Sequence, residues 1–73
     1  MKVAKVHKCF EGPLEVGDGT YYNMCLAQLS DGDWAEVELH YQNFNAAYDD
    51  AHWLNRSPYP LEVDEQCLTS TLN

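Results

Sequence analysis

Three cysteines (Cys9, Cys25, Cys67), three histidines (His7, His40, His52) and twelve acids are the residues of this 73-residue chain that could catalyse or hold a metal. Structural zinc sites draw ligands from close pairs such as C-x-x-C or H-x-x-x-H, since one local turn then delivers two donors to one ion. Neither spacing occurs. His7 and Cys9 would share one face of a strand, which is half a site at most, so no metal ligands are predicted. Nucleophilic catalysis needs a nucleophile, a base and an orienting group brought together. Cys25, His40 and Glu38 can be grouped across a hairpin, but a carboxylate beside a thiol raises its pKa and opposes activation. A hairpin face on so small a chain also offers little concavity to exclude water. The pairs Glu36/Glu38 and Asp49/Asp50 read as solvated faces. The glycines of GPLEVGDG (12–19) lack the lysine of a phosphate cradle and carry acids instead. No catalytic, cofactor-binding or metal residue is therefore predicted, and the chain reads as a binding protein.

Charge narrows what it would bind. The net charge is −8, and the three lysines, Lys2, Lys5 and Lys8, all fall in the first eight residues. From Cys9 onward, twelve acids face Arg56 alone, a balance of −11. That skew repels phosphate and disfavours nucleic acid as a direct ligand, while steering the protein toward basic surfaces. An odd cysteine count, no apolar secretory segment and no apolar run of the roughly 20 residues a bilayer needs predict free thiols, no membrane and a cytoplasmic setting.

The elements that would position these residues follow from periodicity. Residues 2–10 predict a strand whose lysines suit an edge, and 11–19 a loop. TYYNMCLAQL and WAEVELHY predict a hairpin about Asp31-Gly32, a preferred two-residue turn. That turn would pair Leu26 with Val37, Met24 with Leu39 and Tyr22 with Tyr41 on an apolar face. The other face would receive Leu29 with Trp34, Ala27 with Glu36, Cys25 with Glu38 and Asn23 with His40. Phe44, Ala47, Tyr48, Ala51 and Leu54 recur at helical spacing, with Asn43 or Asn45 as cap and Asp49, Asp50, His52 and Trp53 facing away. Prolines in RSPYP (56–60) end the helix. LEVDEQCL (61–68) predicts a last strand, and 69–73 a frayed tail. One α+β domain over 1–73 results: a small antiparallel sheet of three to four strands with one helix on one face, in the order β-β-β-α-β. Val37, Leu39, Tyr48 and Leu54 are its predicted core, with Tyr22, Tyr41 and Phe44 also expected inside.

Trp34 stands apart, because its register places it on the charged face. A tryptophan among carboxylates has the composition of an interface anchor with an acidic rim. Glu36 and Glu38 alternate beside it, roughly 7 Å apart by strand rise, and Asp31 and Asp33 extend the acidic track to the hairpin tip. Asp49 and Asp50 form a second candidate surface on the helix.

The segment Tyr41 to Cys67, with Phe44, Ala47, Ala51 and Trp53 ahead of a strand, is similar in layout to the small phage inhibitor of bacterial RNA polymerase. The short acidic chain as a whole resembles inhibitors that phages and mobile elements encode, anti-CRISPR proteins among them. The resemblance implies a protein–protein blocker that presents carboxylates where a nucleic acid would lie on a basic host surface. The alternative is a host accessory subunit of a larger complex, or a homodimer formed through its sheet edge.

Overall fold

The Asp-Gly turn decides which side chains the sheet buries. In the computed structural model, which describes residues 2–70, the Gly32 amide donates to the Leu29 carbonyl (2.9 Å) and the Leu29 amide to the Asp33 carbonyl (2.7 Å). Gly32 has φ +93°. This is a three-residue loop, a type I turn completed by a left-handed glycine, in place of the predicted two-residue turn. The extra residue shifts the register of β2 (Tyr21–Gln28) against β3 (Trp34–Tyr41) by one. The pairs become Cys25 with Val37, Asn23 with Leu39, Tyr22 with His40, Met24 with Glu38 and Leu26 with Glu36. A one-residue slip turns every side chain of one strand over. On β3, Val37 and Leu39 face inward as predicted, whereas on β2 the buried residues are Asn23, Cys25 and Ala27. Tyr22, Met24 and Leu26 thus belong to the outer face, correcting the predicted pairing.

β1 (Val3–Glu15) is longer than predicted and takes in the first five residues of the expected 11–19 loop. It crosses β2 with register breaks between Val6 and Lys8, Cys9 and Glu11, and Glu11 and Leu14. Bulges of this kind bend a strand, and β1 consequently pairs with β2 and with β4 (Leu61–Asp64). The predicted strand 61–68 ends at Asp64. A 3-10 turn, Glu65–Cys67, follows and leads to the short β5 (Thr69–Ser70) beside β3. Cys67 is exposed in that turn, not inside the sheet. Of the expected frayed tail, 69–70 are paired and the rest lies outside the described residues.

The sheet order is β4-β1-β2-β3-β5. Three consecutive strands with the fourth returning beside the first make a Greek key. The edge strands β4 and β5 are joined through 65–68 alone. Three residues at 3-10 rise plus two extended steps reach roughly 13 Å, against roughly 19 Å between the edges of a flat five-stranded sheet. The sheet must therefore curl.

The single helix, α1 (Phe44–Arg56), lies between β3 and β4 in sequence and packs on the inner face. Asn43 caps it by accepting from the Ala46 amide at 2.9 Å, and Ser57 ends it with its amide on the Trp53 carbonyl. Ala51 and Leu54 are buried in one cluster with Val6, Cys9, Cys25, Ala27, Val37 and Leu39, and Ala47 is buried one turn earlier on the same helix face. Phe44 and Tyr48, predicted as core, are 46% and 51% exposed. Small alanines form the buried stripe, so the helix lies close to the sheet and the larger rings are left at its flank. The α+β arrangement of one antiparallel sheet and one helix, in the order β-β-β-α-β, is present, with β5 as a short addition.

Candidate protein-binding face

The corrected register gives the outer face of the sheet its composition. Reading across from β1, Lys5, Gln28 and Trp34 form one row, and Lys8, Leu26 and Glu36 the next. Glu11, Met24 and Glu38 follow, and then Leu14, Tyr22 and His40. The middle strand is apolar along most of its outward length, and it separates Lys5, Lys8 and Glu11 on β1 from Glu36 and Glu38 on β3. Leu26 is 38% exposed and Trp34 51%. The tryptophan ring leans across the sheet to His7 of β1, with centroids 4.9 Å apart at 46°. This contact takes the place of the predicted one with Leu29, and His7 Nε2 is buried there with no partner among the described residues.

The predicted acidic track is assembled as expected along β3. Glu36 is exposed, and Glu38 is half-buried with its Oε1 2.8 Å from His40 Nε2. That contact orients the imidazole at the far end, where it stacks on Tyr22 at 5.4 Å and 21°. Asp31 and Asp33 are exposed at the hairpin tip, where Asp31 Oδ1 accepts the Asp33 amide at 2.9 Å. Asp31 therefore also holds the turn that sets the register.

The second candidate surface divides. Asp49 is exposed on α1. Asp50 turns inward instead and accepts a 2.7 Å hydrogen bond from the Tyr41 hydroxyl. Burial first, and then this carboxylate, push the Tyr41 phenol well above its ordinary value of 10.0. Asp50 is thus a structural residue that joins α1 to β3.

The Cys25–His40–Glu38 grouping is not formed, because Cys25 points into the core while His40 and Glu38 point out. Cys25 instead lies opposite Cys9 on the inner face. Burial pushes the Cys25 thiol up to about 12 and also raises that of Cys9. Among the described residues, no group of three or more His, Cys, Asp or Glu side chains could hold a metal ion, and no helix is long and apolar enough to cross a membrane.

Met24, Leu26, Tyr22 and His7 are the members of this face that periodicity misses. The signal for the three on β2 is the turn, and it is ambiguous: Asp31-Gly32 suits a two-residue turn and Ser30-Asp31-Gly32 a three-residue loop with glycine last, and only the second count exposes Met24 and Leu26. Comparison of the chain with protein-family models, with curated proteins and with solved structures finds no match in any of the three.

Proposed function

We propose that this chain acts by binding a protein and not by catalysis, with the outer face of β2 and β3 as the contact surface. The observation that carries this is the strip of Met24, Leu26 and half-exposed Trp34 bordered by Glu36, Glu38, Asp31 and Asp33. An apolar centre with an aromatic anchor and a charged rim is the composition of a protein interface. The rim's sign selects a basic partner surface, and the net charge of −8 steers the encounter. Basic surfaces of that kind on cytoplasmic complexes are chiefly those that hold nucleic acid. The reading that joins these features is an inhibitor, encoded by a phage or mobile element, that occupies the nucleic-acid site of a host complex such as a CRISPR effector. The lysines on β1 confine mimicry of a nucleic acid to the β3 side.

The test is capture of partners from host lysate at low and high salt, with wild type and two variants. Glu36→Gln with Glu38→Gln should chiefly slow association, and the gap to wild type should close as salt screens the field. Trp34→Ala should chiefly speed dissociation, by at least about tenfold for a hot spot worth more than about 1.4 kcal/mol. The captured complex should lose nucleic-acid binding in proportion to occupancy. Equal capture by all three proteins would refute the assignment of this face. So would direct, Trp34-dependent binding of a single-stranded oligonucleotide.

A further inference from the structure

A second exposed surface lies on α1, on the other side of the sheet from the face just described. Phe44, Tyr48 and His52 stand four residues apart and stack in sequence, with centroids 5.9 and 6.0 Å apart and planes within 24° and 10° of parallel. Tyr21 meets Phe44 edge-on at 5.6 Å and extends the row at its start. Arg56 continues it at the other end, its guanidinium 3.0 Å from His52 Nε2. Trp53 and Tyr59, 44% and 73% exposed, flank the helix's C-terminal half. There Asp49, His52, Trp53, Arg56 and Ser57 line a shallow dent. The N-terminal half of α1 thus offers protruding rings and the C-terminal half a hollow.

Charge decides what fits this surface. Among the exposed positions of α1, the formal charges are Asp49 and Arg56, one of each sign. The chain otherwise has eleven acids, and its only other bases are the lysines of β1 and the residue before it. A strongly basic partner has little to pair with here, whereas a copy of the same surface does. Antiparallel apposition about a two-fold axis near the middle of the helix sets the rings of each copy over the dent of the other. It also brings each Asp49 toward the Arg56 and His52 of its mate. Such an isologous contact is self-complementary in shape and in charge, as closed dimer symmetry requires.

We propose that this chain forms a reversible homodimer through the exposed face of α1, with Tyr48 and Trp53 as its anchors. Tyr48 and Trp53, each about half exposed, contribute about 100 Å² apiece, and with His52 and Arg56 between them the contact covers roughly 600–800 Å² over both copies. That area is the range of weak, transient association, not of an obligate dimer. The outer sheet face stays open in each copy, so the dimer would present two acidic faces and gain avidity on a repeated partner.

Sedimentation velocity from micromolar to millimolar concentration tests this, with circular dichroism to confirm that each surface variant is folded. Wild type should pass from one chain's mass toward two chains' mass. Tyr48→Ser should weaken association at least tenfold. Asp49→Arg and Arg56→Asp should each weaken it severalfold, while the double variant, with the pair exchanged, should return to near the wild-type constant. Trp34→Ala should leave self-association unchanged, so this proposal and the sheet-face assignment fail separately. A chain monomeric at every concentration would overturn the dimer. So would association indifferent to Tyr48→Ser, or a double variant no better than the singles. A monomer that loses a basic partner on Tyr48→Ser would overturn it too, and assign the face to that partner.

Discussion

Asn23 and Gly12 show what single residues do in this molecule. Asn23 is fully buried, and its Nδ2 donates to the Ala47 carbonyl at 2.8 Å, fastening β2 to α1. Gly12 of β1 lies over it with φ +140°, and a Cβ there would collide with Asn23 Oδ1 and come within 3.0 Å of Asn23 Cα. Gly12→Ala therefore combines a left-handed backbone that alanine resists with a clash against backbone. It should destabilise the fold by about 1–3 kcal/mol or more, measured by urea denaturation. The thiols sort by the same burial. At pH 8 a soluble alkylating reagent should modify exposed Cys67 quickly and leave Cys9 and Cys25 untouched until the chain is unfolded. Rapid labelling of all three in the native protein would contradict the packing of β1 on β2. The raised values of Cys25 and Tyr41 carry a stability consequence. Each is neutral when folded and ionises more readily when unfolded, so its contribution is complete below the ordinary thiol value of 9.0 or phenol value of 10.0. It is then lost as pH rises toward the folded value, at up to about 1.4 kcal/mol per pH unit for each group. The melting temperature should begin to fall above about pH 9, and Tyr41→Phe should flatten that fall.

Among the elements, the hairpin carries most of the consequence, because its loop length assigns β2's faces. Two leucines report on it. Leu39 is 8% exposed inside the sheet, and Leu26 is 38% exposed on the outer face. Leu39→Ala should cost about 2–5 kcal/mol by lost transfer energy and residual cavity. In a chain this small that is enough to unfold much of the population. Leu26→Ala should change stability by only about 0.5 kcal/mol. A two-residue turn would reverse Leu26's part by burying it opposite Val37, so equal and large losses at both sites would refute the observed register. On α1, three small or branched residues bury their side chains while the row of rings does not. Helical periodicity therefore reports two stripes, one that packs and one beside it that stays on the surface.

At the scale of the whole molecule, the curl of the sheet separates two surfaces of different character. The outer face of β2 and β3 is apolar at its centre and acidic toward β3. The exposed face of α1 is aromatic and electrically balanced. Binding at the first should weaken with salt, since its rim and the net charge of −8 both act through a screened field. On the outer face Lys5 and Lys8 of β1 lie between the carboxylates of β3 and Glu62 of β4.

The composition, the placement of charge and the order of the elements were legible in the sequence. So was the outward face of β3, because Trp34, Glu36 and Glu38 alternate strictly with Ala35, Val37 and Leu39. The helix was legible as well, from a cap at Asn43 or Asn45, which the structure places at Asn43, and from its closing prolines. These are local properties, set by side-chain period and turn chemistry within a few residues. Which face of β2 is buried was not legible, because Tyr22-Met24-Leu26 and Cys25-Ala27 are both apolar and either could serve as core. Only the third residue of the loop, and the fit of small residues beneath α1, settled it. The outward position of Phe44 and Tyr48 has the same cause. A helix lying close on a sheet accepts Ala47 and Ala51 at the contact and has no room for rings there. The inward turn of Asp50 likewise depended on Tyr41 arriving from another strand with a hydroxyl to donate. Each of these outcomes compares two placements that are locally equivalent, and the difference between them exists only once distant parts of the chain are packed together.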